Sequence, residues 1–380
     1  MTNGERVLHR EHEVADGAAL GALTADLEAA DAIAVDLETN SMHAYRGRLC
    51  FVQLATADDI WIVDTLAEGV DAAALAPAFL EASRRKVFHD AQGDLRVLAG
   101  VGLRIRNLFD TQRAAMLLGL PRIGLGDLVE SRFGVKLSKE HQTADFGRRP
   151  VPDELRSYVA DDVRYLLPLA EQLEEEAREL DILEEVQLEF DRIAEECAEP
   201  EALPRPKIPQ AARDALGLAI ADAADRLRNR EAAARDQPVG RVLANAAVGE
   251  IALRRPATTK ELARIPGVKG SFTRAAGVEL LAEIARLRAR AERGELPAPP
   301  APPRRDPLRR SREEKLKAWR AEAAKARGVV PSVVLPTAVS ERLAAKPPED
   351  LDELARVPWL GEKRVRLYGR AILDVLRAAG

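Results

Sequence analysis

A chain of 380 residues with 46% hydrophobic, 31% charged and only 4% aromatic side chains has the composition of a globular protein of two or three domains. It holds no apolar run of the roughly 18 residues that span a bilayer, and MTNGERVLHREHEV at its start lacks the apolar core of a secretory signal. Cys50 and Cys197 are too few for a disulfide framework or a cysteine-rich zinc site, so a cytoplasmic protein with no membrane association is expected. The net charge of −5 hides an asymmetry: residues 201–380 carry 36 Lys+Arg against 23 Asp+Glu, net +13, which leaves −18 for residues 1–200. A basic half binds polyanions by displacing their counterions, and an acidic half repels them unless its carboxylates hold metal ions.

Residues 32–38, 49–55 and 60–64 are short, β-branched-rich apolar runs bounded by polar or turn-forming residues, the pattern of consecutive strands. Residues 86–89 read as a fourth strand and 105–109 as a fifth. Helical patterns cover 72–82, 94–100, 111–119, 125–133 and a long stretch from Asp153 to Glu179, with another amphipathic helix over 181–197. Together these predict an α/β domain over residues 1–200, a mixed sheet flanked by helices. The connector EPEALPRPKIP follows. No strand pattern lies beyond it: residues 208–292 and 311–380 read as two all-α domains, joined by a Pro/Arg-rich linker over 293–310. The two are related by a shift of 92, at which Glu261-Leu-Ala-Arg264-Ile-Pro266 meets Glu353-Leu-Ala-Arg356-Val-Pro358, and Arg274, Gly277 and Leu281 meet Arg366, Gly369 and Leu373. A pattern matched over that length indicates a duplicated domain.

Three carboxylate motifs stand in the acidic half. Asp36-Leu37-Glu38 ends an apolar strand, whose period of two puts both acids on one face. His89-Asp-Ala-Gln-Gly-Asp94 lies where a strand gives way to a helix. Tyr158-Val-Ala-Asp161-Asp162 places Tyr158 and Asp162 at i and i+4 on one helix face, with Asp161 about 100° away. Four carboxylates and a tyrosine offer hard oxygen ligands suited to Mg²⁺ or Mn²⁺. Such a set can hold two ions, one to activate water and one to stabilise the leaving oxygen of a phosphodiester.

In this order the motifs resemble those of the DEDDy 3′–5′ exonucleases. Within that group the chain is similar to the ribonuclease D family and its relatives in the nuclear exosome. The segments DLETNSMHAYRGRLCFVQLAT, FHDAQGDLRVL, FDTQRAAMLLGL and ADFGRRPVPDELRSYVADDVRYLLPLA carry the likeness, and the two helical blocks resemble HRDC domains. The resemblance implies a ribonuclease H-like (DnaQ-like) exonuclease fold. It implies that Asp36, Glu38, Asp94 and Asp162 ligate two divalent cations, Mg²⁺ or Mn²⁺, and that Tyr158 orients the attacking water. It also implies release of 5′-mononucleotides from the 3′ ends of RNA, with tRNA precursors as the usual substrate class. The backbone of Thr39 is implied to lie near the terminal 3′-hydroxyl. His141 and Asp145 form the nearby pair that would stand in for the histidine-subclass motif, but their spacing is one residue short. Leu37 replaces a common Thr on the face turned from the metals, and Phe146 stands where Trp is frequent.

Other residues have two readings each. His89 reads equally as a contact to the substrate backbone and as an imidazole packed at a strand end. Lys363, Arg364 and Arg366 follow the repeat's proline turn and read as a phosphate grip or as a solvated helix face. The segment 304–327, with ten Lys+Arg against four Asp+Glu, reads as an RNA contact or as a spacer. RNA is the expected partner. A DNA-directed exonuclease of the Werner type is the rival within enzymes, disfavoured by the tandem HRDC arrangement without a helicase or polymerase segment. A non-catalytic RNA-binding adaptor is the rival outside them, disfavoured by the intact set of five residues.

Overall fold

The computed structural model describes residues 9–138, 144–200, 205–300 and 306–379, with backbone only for 153–158. Along the chain run β1 (Arg10–Val14), α1 (Gly17–Ala29), β2 (Ala32–Thr39), β3 (Leu49–Ala55), β4 (Asp59–Asp64), α2 (Ala76–Leu80), β5 (Arg85–Phe88), α3 (Gln92–Gly100), β6 (Leu108–Asp110), α4 (Thr111–Leu117) and α5 (Leu125–Phe133). Next come α6 (Asp153–Arg164), α7 (Leu166–Glu179) and α8 (Leu183–Glu196). The chain continues in α9 (Ala215–Ala234), α10 (Val239–Val242), α11 (Asn245–Arg254), α12 (Thr259–Ala263), α13 (Gly270–Phe272) and α14 (Val278–Glu292). It ends in α15 (Pro307–Arg327), α16 (Pro331–Val334), α17 (Thr337–Ala345), α18 (Leu351–Ala355) and α19 (Glu362–Arg377). None of the described helices is long and apolar enough to cross a membrane.

The strands form one six-stranded sheet in the order β1-β4-β3-β2-β5-β6. β3 runs antiparallel to β4, whereas β1 pairs with β4, β2 with β5 and β5 with β6 in parallel, which makes the sheet mixed as expected. β3 is buried along its whole length, matching its unbroken apolar run. β1 was not expected. Its REHEV sequence is charged on the solvent side, which suits an edge strand and gives no apolar alternation to read. The long helix expected over 153–179 is two helices. Pro168, in the first turn of α7, has no amide hydrogen to continue the ladder from α6, and Tyr165 sits at the break.

One face of the sheet is covered by α6, α7 and α8. There Arg85 of β5 pairs with Glu174 of α7 at 2.6 Å, and Phe109 of β6 meets Phe190 of α8 with ring centroids 4.9 Å apart. Because Ala34 lies opposite Val87, strand alternation puts Ala34, Asp36 and Glu38 on that same face. Leu37 turns the other way, into the core. The other face is covered by α1, whose Asp26 accepts a 2.7 Å hydrogen bond from Trp61 Nε1.

By its contacts the chain divides into two units. One comprises residues 1–38, 49–201 and 305–380; the other comprises 39–48 and 202–304. In the second unit the tip between β2 and β3 belongs with the first helical block: the Tyr45 amide donates to Asp236 Oδ1 at 3.0 Å, and its ring packs on that block's core.

The duplication extends further than the matched residues suggested. The starts of α9, α10, α11, α12 and α13 lie 92 residues before those of α15, α16, α17, α18 and α19. Glu261 and Glu353 reach back to the amides of Ala257 and Glu349, while Thr258 and Asp350 cap the amides of Glu261 and Glu353. This is a capping arrangement at each copy's short helix. Arg228 and Arg320 both donate to a carbonyl at 3.0 Å, those of Leu243 and Leu335, again 92 apart.

In the first unit the second helical block packs on α8. Glu185, 0% exposed, accepts from Arg327 Nη1 at 2.8 Å and from Lys363 Nζ at 3.2 Å, and Glu184 accepts from the Lys363 amide at 3.1 Å. Gly361 closes the contact at φ +83°. A Cβ there would stand 2.3 Å from Leu188 Cδ1. This corrects the phosphate-grip reading of Lys363 and Arg364. Lys363 is buried against the carboxylates of α8, and Arg364, 1% exposed, spends its guanidinium on the carbonyls of Val333, Trp359 and Leu360. Cations so enclosed present almost no surface to RNA. Arg366 alone of the three is exposed.

Candidate active site

β2 delivers the first two acids. Its apolar run pins the strand between β3 and β5, and the chain leaves the sheet at Thr39, so Asp36 and Glu38 project from the end of a fixed element. α6, packed on β3 and β4, brings Asp162 to them. Carboxylate oxygens of Asp36, Glu38 and Asp162 lie within 4.8 Å of one another, and all three side chains are half-buried. Asp94 stands outside this trio, in the first turn of α3, yet it is near enough to feel the charges of Asp36 and Glu38. Tyr158 lies one turn before Asp162 on α6, with its side chain outside the described atoms. His141 is likewise outside the described residues.

Asp161, about 100° around α6 from Asp162, is held by an ion pair. It accepts from Arg164 Nε at 2.9 Å, and Arg164, itself buried, also pairs with Glu11 of β1. Thr39 Oγ1 donates to Ser41 Oγ at 3.1 Å. His89 Nδ1 is bonded to Thr111 Oγ1 at 2.9 Å. Phe146, in the place where Trp is frequent, packs edge-on against Phe51 of β3.

The electrostatics of the four acids follow from crowding. Burial, then the charges of Asp36 and Asp162, push Glu38 up to about 9. Burial followed by Asp36 and Asp161 raises Asp162 to about 8, and burial raises Asp36 to about 7 against the opposing Leu37 amide. Asp94 is held well above the carboxylate range by burial and by Asp36, Glu38, Asp90 and Asp110. Like charges gathered in low dielectric favour the protonated form until something neutralises them. Convergent hard oxygens of this kind fit a divalent cation, which would remove the repulsion and leave all four ionised.

The sequence reading gave no role to Asp110, although an Asp just before a helical run is a capping signal. It is 0% exposed and accepts from the amides of Asp90, Ala91 and Arg113 at 3.0–3.1 Å. Asp90 lies in the left-handed region at φ +60°, a conformation Asp tolerates. Asp110 therefore clamps the turn that aims α3, and so Asp94.

A profile described as 3′–5′ exonuclease matches residues 12–178, and a profile described as HRDC domain matches residues 217–284 and 310–376. A protein named ribonuclease D from Acidiphilium cryptum (strain JF-5) is 32% identical over 369 residues, covering 95% of this chain and 91% of that one. The catalytic core of RRP6 from Trypanosoma brucei is 28% identical with a TM-score of 0.63, over 76% of this chain and 82% of that one. The structure of Escherichia coli RNase D, titled an exoribonuclease involved in structured RNA processing, shares the fold at 24% identity. Its TM-score is 0.73, and the match covers 97% of this chain and 99% of that one.

Proposed function

Since the chain belongs to the ribonuclease D family and is a 3′–5′ exoribonuclease, we propose that it trims the 3′ ends of RNA, tRNA precursors foremost, by a two-metal-ion hydrolysis that releases 5′-mononucleotides. The observation that carries this reading is the convergence of Asp36, Glu38 and Asp162 within 4.8 Å, with Asp94 electrostatically tied to them. These four would hold the cations, Mg²⁺ or Mn²⁺. Cations bound there supply charge neutralisation and Lewis acidity at the scissile phosphate.

The remaining work belongs to the protein. β2 and α6 fix the carboxylates against a rigid sheet, which keeps the site arranged before RNA arrives. Tyr158, one helical turn from Asp162, offers a hydroxyl that would orient the attacking water, whereas Asp161 is engaged by Arg164. Tyr158→Phe is expected to slow hydrolysis by about 10²-fold, the scale of a lost proton-positioning group, and Asp161→Ala to leave the chemical step nearly unchanged. Steady-state rates on a short single-stranded RNA check both; the reverse pattern would move the motif's register by one residue.

The substrate class is tested with a tRNA precursor carrying a 3′ trailer. Stepwise shortening with mononucleotide products is the expected outcome. Oligonucleotide products, or equal activity on the matching DNA, would contradict the proposal.

A further inference from the structure

His89 sits directly after β5, in the turn that Asp110 clamps. Its imidazole has an assigned tautomer, because Thr111 Oγ1 lies 3.0 Å from the carbonyl of Phe88 and 2.9 Å from His89 Nδ1. The hydroxyl has one proton, and a carbonyl can only accept. Thr111 therefore donates to Phe88 and accepts from Nδ1–H. Burial holds the His89 pKa down to about 4, so the ring is neutral near neutral pH. Nε2 is then a bare lone pair. That atom is buried and has no hydrogen-bond partner in the protein.

A buried acceptor left unpaired costs stability unless a partner completes it. This one lies in the turn beside the carboxylate site: Asp90, the next residue, and Asp110, which clamps the turn, are both near enough to Asp94 to raise its pKa, and β5, which ends at Phe88, pairs with the strand that carries Asp36.

Building on the exoribonuclease reading, we propose that His89 is a substrate-recognition residue whose Nε2 accepts a hydrogen bond from a hydroxyl of the RNA's 3′-terminal ribose. The missing partner must be a donor. Phosphodiester oxygens only accept, and exocyclic amino groups differ from base to base. The ribose hydroxyls are the donors every RNA terminus presents.

The test is a double-mutant cycle between enzyme and substrate. Wild type, His89→Ala and Thr111→Val would be assayed on single-stranded RNAs that are identical except for a terminal ribose, 2′-deoxyribose or 3′-deoxyribose. For wild type, kcat/KM should fall about tenfold when the recognised hydroxyl is removed, the size of one hydrogen bond. His89→Ala should lose the same factor on the ribose end and nothing further on that deoxy end, and the non-additive arm identifies the 2′ or the 3′ hydroxyl. Thr111→Val touches no RNA, yet it frees the other tautomer, so it should weaken the same discrimination. Penalties of enzyme and substrate changes that simply multiply, for both hydroxyls, would overturn the proposal while leaving the exoribonuclease reading intact. A wild type that fails to shorten the all-ribose RNA would overturn that reading, and this inference with it.

Discussion

Asp36 and Glu38 share a face because a strand repeats every two residues, and Asp162 reaches them because α6 packs on that face of the sheet. Removing one charge there relieves its neighbours. Asp36→Asn and Asp162→Asn are each expected to cut hydrolysis by about 10²–10³-fold or more, the scale of losing a preorganised electrostatic contact. Both variants should fold, and without metal both should melt above wild type at alkaline pH. The pH dependence has a definite sign. Glu38 titrates at about 9 in the fold, above the ordinary carboxylate value. Its contribution to stability is therefore fully present below the unfolded pKa and is lost as pH rises through about 9. The melting temperature of wild type in EDTA should fall between about pH 6 and pH 9, and Mg²⁺ or Mn²⁺ should flatten that fall by binding the ionised form. Calorimetry with and without metal checks this; a metal-free melting temperature that rises over that range would contradict the crowding argument.

At the scale of elements, the second helical block is joined to α8 by buried charge. Glu185→Ala would remove the buried carboxylate and leave Lys363 and Arg327 to the exposed Asp181, which both already touch, so the loss should stay below the about 3–5 kcal/mol of a fully broken buried pair. Gly361→Ala would combine an unfavourable φ with a Cβ 2.3 Å from Leu188. Denaturant unfolding should show both variants releasing the block, and an unchanged profile would mean that the contact is incidental. This junction was not legible in the sequence. Lys363, Arg364 and Arg366 read as a cation cluster, and nothing local announced that carboxylates of α8 neutralise the first. β1 was missed for the opposite reason, since an edge strand of alternating charges buries too little to leave an apolar pattern. What was legible has strong local signals: the apolar runs of β2 to β4, the period-two acids, and the duplicated capping acids Glu261 and Glu353. The placement of Asp94 and Asp162 beside β2 was legible through family likeness, not through spacing alone.

For the whole molecule, the charge asymmetry survives in the structural division, although it is sharper at the boundary near residue 200. The unit of residues 39–48 and 202–304 has 21 Lys+Arg against 11 Asp+Glu, net +10, which leaves −15 for the unit that bears the carboxylates. Its Lys260, Arg264 and Arg274 are exposed and unpaired among the described residues. Replacing these three with Gln should lower the slope of log affinity against log salt by about 2, at roughly 0.7 per phosphate contact on single-stranded RNA. Salt titrations with Asp162→Asn, which binds without cutting, would measure it; an unchanged slope would mean that these three cations make no phosphate contact. The central claim is that the four carboxylates work only with divalent metal, on RNA, from the 3′ end. The measurement that tests it most directly is the cleavage of single-stranded RNA labelled at its 5′ end, followed in time in Mg²⁺, Mn²⁺ or EDTA. A ladder shrinking one nucleotide at a time with metal, and no cleavage in EDTA or by Asp36→Asn, is the expected result. Undiminished shortening in EDTA would contradict the account.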